Sequence, residues 1–123
     1  VVELGHHRRE LQGLIGLTVE DGQARRLLND IAAFTAHQDL GREDRSLVAS
    51  RWLAQVYEPL LELIPADLRG KLEPAEFFHE VLVHRWYLSE RAGHEVNIFD
   101  TARDYIDHVL ATRPDEVVTA SDD

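Results

Sequence analysis

The run LEPAEFFHEVLVHRWYLSERAG, residues 72–93, decides the fold of this chain. Proline suits the first position of a helix, so Glu73-Pro74-Ala75-Glu76 reads as a start, with its acids at the positive end of the helix dipole. Gly93 reads as the stop. Advancing about 100° per residue, Phe77, Val81, Arg85, Leu88 and Ala92 fall in one stripe flanked by Phe78 and Leu82. The cation Arg85 therefore stands in the most apolar face of the helix. Its guanidinium has to snorkel to water or meet a carboxylate inside, and Glu58, Asp30 and Asp104 of neighbouring helices are the acids expected to take it. The functional alternative is an anchor, because a planar fork emerging between Trp86 and Phe78 suits a phosphate or carboxylate of a partner.

Outward from this segment the helical signals continue, and alternating strand patterns are absent. A first helix is expected over roughly residues 2–15, with Leu4, Leu11, Leu14 and Ile15 apolar and Gly5 and Gly13 weakening it. Thr18-Val19-Glu20-Asp21 resembles a capping box and opens a second helix to about Leu40, which Gly41 stops. Its buried face is Ala24, Leu27, Leu28, Ile31, Phe34 and Thr35, with Arg26 and Asp30 four apart on the other side. A third helix, about Glu43 to Ile64, buries Val48, Trp52, Val56, Leu60 and Leu63 and leaves Arg51, Gln55, Glu58 and Glu62 wet; Pro59 has to kink or divide it. Ala66 to Gly70 reads as a connecting turn. Asn97 caps the last helix, whose stripe is Ile98, Ala102, Tyr105, Ile106, Val109 and Leu110, ending at Arg113-Pro114. The expectation is an all-α domain over residues 1–114, a compact bundle of about five helices, followed by an acidic flexible tail, residues 115–123.

Composition excludes several classes of activity. Zero cysteines remove disulfides, thiolate zinc sites and cysteine nucleophiles together, and fit a reducing cytoplasm. Zero methionines imply a piece of a longer protein. With 23 acidic against 13 basic residues the net charge is -10, which repels phosphate backbones, so nucleic acid is not an expected partner. The basic knot His6-His7-Arg8-Arg9 runs straight into Glu10 and reads as a solvated helix face. No apolar run approaches the roughly 20 residues of a membrane span.

The motifs that carry chemistry are weak. His79-Glu80-Val81-Leu82-Val83-His84 is similar to a zinc-hydrolase helix, but the histidines stand five apart instead of four. That turns them about 140° away from each other, so a metal-dependent hydrolase built on His79, Glu80 and His84 is kept as the alternative only. Glu76-Phe77-Phe78-His79 matches half of a di-iron bundle motif, whose second copy would have to be Glu3-Leu4-Gly5-His6 at a glycine-broken start. Asp100, Asp104 and Asp107 are read as solvated, with Arg103 and His108 beside them. His84-Arg85-Trp86 lacks the aspartate of a kinase catalytic loop, and no serine sits on a nucleophile elbow. Arg85, His84, Glu80 and Trp86 are left as candidates for a buried ion pair or an interaction surface; no catalytic, cofactor-binding or metal-binding residue is expected.

Arg25-Arg26-Leu27-Leu28-Asn29-Asp30, Trp52-Leu53-Ala54-Gln55-Val56-Tyr57-Glu58-Pro59, the run Phe78 to Gly93, and Asp104-Tyr105-Ile106-Asp107 together resemble an uncharacterised bacterial helical domain found C-terminal to a lipopolysaccharide-kinase-like domain. The resemblance covers most of the chain in order and supplies no catalytic residues. It implies a non-catalytic, cytoplasmic accessory module whose partner is its own upstream kinase-like domain or another protein, with a homodimerising scaffold as a further alternative. An exposed apolar patch around Phe77 or Trp86 would mark such an interaction.

Overall fold

The computed structural model describes residues 5–114. Among these every regular element is helical: α1 (His6–Ile15), α2 (Asp21–His37), α3 (Arg45–Trp52), a π turn (Leu53–Tyr57), α4 (Glu58–Glu62), a 3₁₀ turn (Ala66–Leu68), α5 (Pro74–Ala92), α6 (Ile98–His108) and a final 3₁₀ turn (Leu110–Thr112). The all-α fold expected from the sequence is thus the fold observed. Residues 2–4 of the expected first helix, Glu3 of the di-iron motif and the acidic tail lie outside the described residues. The chain divides into two helical units between Glu58 and Pro59.

In the first unit α1, α2 and α3 pack pairwise around Leu11, Leu27, Ile31, Val48 and Trp52. Helix α1 starts at His6 behind Gly5, whose φ of 77° suits glycine and whose missing side chain leaves no local cap. The cap comes from α2: Asp21 Oδ1 accepts the Arg8 N–H at 2.9 Å, and Asp21 Oδ2 lies 3.3 Å from His7 Nδ1. The capping box expected at Thr18 is therefore not formed. Glu20 precedes the helix without a side-chain cap bond, and Asp21 serves its neighbour instead. Hydrogen bonding to the Arg8 amide, with His7 beside it, holds the Asp21 carboxyl below the usual range. Arg45 of α3 pairs with Glu10 of α1.

Helix α2 ends earlier than Gly41 suggested. The Leu40 N–H bonds the Thr35 carbonyl at 2.8 Å and the Asp39 N–H the Ala36 carbonyl at 3.2 Å, a Schellman closure with Asp39 at φ 57° in the left-handed position. That conformation strains any side chain with a Cβ. Asp39→Gly is therefore expected to stabilise the protein by about 0.5–1 kcal/mol, read as a higher urea midpoint at unchanged m-value.

The expected third helix is divided, as Pro59 required. Asp44 caps α3 by accepting from the N–H groups of Ser46 and Leu47. The widening falls just before the proline, in the π turn, where the Glu58 N–H reaches back to the Leu53 carbonyl. Proline's ring crowds the carbonyl four residues earlier, and a wider turn relieves that clash. The π turn also changes the phase. Five α-helical steps would carry Tyr57 about 140° away from Trp52, whereas one π turn returns it to the same side. Tyr57 is accordingly buried, with its ring 5.3 Å from that of Trp52, although the helical wheel had left it out of the core. Burial raises its hydroxyl pKa to about 12.

In the second unit α5 packs against α6. Helix α5 keeps its expected bounds, with Pro74 at its first turn and Gly93 closing it at φ 78°. Asn97 caps α6 by accepting from the N–H groups of Phe99 and Asp100. Its core side is Thr101, Ala102, Tyr105 and Ile106, and Thr101 is buried because its hydroxyl donates to the Asn97 carbonyl at 2.9 Å. Contacts descend along α5 as the chain ascends through α6: Ser89 meets Val96, His84 meets Asp104, and Glu80 meets Arg113. The two helices therefore run in opposite directions.

Candidate functional site

Helix α5 presents its candidate residues on different sides. His84 and Glu80 turn toward α6. An ionised carboxylate can only accept, so His84 Nε2 carries the proton and donates to Asp104 Oδ2 at 2.7 Å. His108, one turn further along α6, brings Nδ1 to 3.0 Å from the other oxygen, Asp104 Oδ1. Asp104 is thus gripped on both sides and is not the simply solvated acid expected from sequence. Its carboxyl is held below the usual range, chiefly by the hydrogen bond from His84 and further by the His108 and His84 charges, against a smaller opposing effect of burial.

Glu80 Oε1 accepts from the Tyr105 hydroxyl at 3.2 Å and lies 3.6 Å from Arg113 Nη1. Burial and the neighbouring Glu80 charge push the Tyr105 hydroxyl up to about 12, with Arg113 acting the other way, so it remains a donor throughout the physiological range. Lys71 closes this end of the unit by donating to the Arg113 carbonyl at 2.6 Å. Every contact in this network ties one part of the second unit to another. Ser89, nine residues beyond Glu80 on α5, is engaged in the same way: its hydroxyl accepts the Val96 N–H at 3.0 Å.

The lowered Asp104 pKa makes a pH prediction with a definite sign. A carboxyl depressed in the folded state adds stability above its unfolded pKa of about 4, and that stability is lost as pH falls through the folded value. Melting temperatures of the native protein and Asp104→Asn are expected to differ at pH 6 and to converge toward pH 2. A gap that persists at pH 2 would contradict this account.

Arg85 reaches Glu95, in the turn after α5, at 3.9 Å, and not Glu58, Asp30 or Asp104. Its side chain is 29% exposed and that of Glu95 is 72% exposed, so the stem is half-buried while the charged head meets its acid at the surface. A pair this wet contributes about 0–1 kcal/mol. The stripe containing Arg85 is fully buried only at its start, in Phe77, Phe78 and Val81; Leu88 is half-buried and Ala92 exposed.

Trp86 lies on the opposite, wet side. It is 59% exposed, Tyr87 58% and Val83 41%, and the Trp86 and Tyr87 rings meet edge to face at 5.0 Å. Positions 83, 86 and 87 have the one-turn spacing of a continuous helix face, so these side chains form an apolar patch directed at solvent. Phe77, the other residue around which a patch was anticipated, is 0% exposed and belongs to the core.

Among the described residues no group of three or more His, Asp or Glu side chains could hold a metal ion. In the first unit a cavity of about 300 Å³ is lined by Leu28, Ile31, Leu40 and Val48 together with Thr35 and Arg45. Thr35 already donates to the Ile31 carbonyl and Arg45 already pairs with Glu10. No described helix is long and apolar enough to cross a membrane.

The observed architecture defines an all-α domain whose half-exposed polar cluster joins parts of the second unit to each other and whose aromatic patch faces outward. The chain belongs to the family described as Domain of unknown function (DUF4032), which matches residues 1–110. Neither a curated protein nor a solved structure matches it significantly.

Proposed function

We propose that this domain is a non-catalytic accessory module that docks a protein partner through the outward face of α5. The observation that carries this reading is the exposure of Val83, Trp86 and Tyr87 together on one helix face. Large aromatics are the residues that most often dominate binding energy at protein interfaces. The polar groups of the α5–α6 cluster support it from the other side, because His84, Glu80 and Tyr105 are engaged with Asp104, Arg113 and each other. The resemblance to a domain found beside a kinase-like domain makes such a neighbour, in a bacterial cytoplasm, the partner to test first.

Titrating the isotope-labelled domain with the kinase-like domain is expected to shift the Val83, Trp86 and Tyr87 resonances, with Trp86→Ala abolishing the effect. Unchanged spectra, or shifts confined elsewhere, would overturn the proposal. Stoichiometric zinc or iron in the purified protein would favour the hydrolase alternative on His79, Glu80 and His84 instead.

A further inference from the structure

We propose that the cavity of the first unit binds a small organic ammonium ion with a single aliphatic tail, at a site independent of the α5 face. Leu28, Ile31 and Thr35 recur at three- and four-residue spacing on α2, and Val48 joins them from α3, so the hollow lies in the crease where these two helices pack. The connecting loop closes one end through Leu40. The Leu40 N–H is bonded to the Thr35 carbonyl at 2.8 Å and the Glu43 N–H to the Leu40 carbonyl at 3.0 Å, which fixes this wall to the end of α2.

Floor and mouth differ in character. Ile31 and Val48 are buried and Leu28 and Leu40 half-buried, whereas the two charged lining residues, Glu43 and Arg45, are exposed. The walls thus pass from aliphatic to ionic toward solvent, which suits a molecule with one apolar and one polar end. Benzene fills a cavity of roughly 150 Å³, so one of about 300 Å³ takes a body of about six to ten non-hydrogen atoms. Charge decides the polar end. Arg45 is answered by Glu10, whereas Glu43 makes no ion pair among the described residues. The adjacent Arg42 is exposed, lies outside the lining and pairs with no described acid. An anion is opposed further by Asp44, whose carboxylate already takes the N–H groups of Ser46 and Leu47 at the positive end of α3. An ammonium head at Glu43 with its tail on Ile31 and Val48 satisfies both parts of the cavity. A lysine side chain or a diamine does not, because its second polar end has to lie on the aliphatic floor. The ligand is therefore a free monoamine.

The test titrates hexylamine, hexanol, hexanoate and hexamethylenediamine into the intact protein, with the NMR shifts of the Ile31 and Val48 methyl groups as readout. Hexylamine is expected to move these resonances saturably and to bind about three- to fivefold more tightly than hexanol, the factor expected of one exposed ion pair. Glu43→Gln is expected to erase that difference. Ala32→Trp, which sets a large side chain at an exposed lining position, is expected to abolish binding of both. Circular dichroism checks that both variants remain helical. Hexamethylenediamine should bind more weakly than hexylamine despite its extra charge. If it binds as tightly, attraction to a chain of net charge -10 accounts for the result and the site is overturned. Hexanol or hexanoate binding as tightly as hexylamine would overturn the preference for a cation. Binding that survives Ala32→Trp, or no saturable shift with any of the four probes, would overturn the cavity as the site.

Discussion

Trp52→Ala is expected to cost about 3–5 kcal/mol, a large part of the total stability of a domain this size. Trp52 is 0% exposed, its ring lies 5.3 Å from Tyr57, and its indole N–H donates to Asp30 Oδ2 at 2.8 Å. Removing the side chain opens a cavity, exposes Tyr57 and withdraws a donor from a half-buried carboxylate. A double-mutant cycle separates these effects. Asp30→Ala alone leaves a buried indole N–H without this acceptor and is expected to cost about 1–3 kcal/mol. In the Trp52→Phe background, where the donor is gone, Asp30→Ala should cost much less. Urea midpoints read all three values, and strict additivity would show that the indole–carboxylate bond does not contribute.

Phe77→Ala is expected to cost about 3–5 kcal/mol, while Trp86→Ala, nine residues along the same helix, stays within about 0.5 kcal/mol. Phe77 is 0% exposed and meets the Tyr105 ring edge to face at 5.8 Å. Trp86 is 59% exposed, with Tyr87 as its ring partner. The pair distinguishes packing from docking on a single helix: the first variant should melt far below the native protein, and the second should melt with it. A Trp86→Ala protein that melts as low as Phe77→Ala would mean that the aromatic face is covered by the chain itself.

The parts of this fold that were legible in the sequence are those set by a few consecutive residues. Pro74, Gly93 and Asn97 mark helix ends through local backbone chemistry, and the structure places them there. Tyr57 was not legible, because a helical wheel assumes constant pitch and the π turn ahead of Pro59 breaks that assumption. Asp104 looked solvated because its i,i+4 partner His108 is visible in sequence, while His84 reaches it only through the packing of α5 on α6. Asp30 was assigned to an outer face for the same reason, although Trp52 of α3 finds it. Arg85 was matched with acids on other helices, whereas Glu95, in the turn that follows its own helix, is the acid it meets. The wheel also overestimated the oily stripe of α5, since which side of a helix faces water depends on what its neighbours cover.

Asp21 has a consequence for the order in which the chain acquires structure. Helix α1 has ten residues, too few to persist alone in water, and the acceptor for its Arg8 amide arrives thirteen residues later. A peptide of residues 5–17 should therefore give a coil spectrum, and one extended through His37 should gain more ellipticity than α2 alone supplies. During synthesis α1 must therefore wait for α2 to emerge before it can coil.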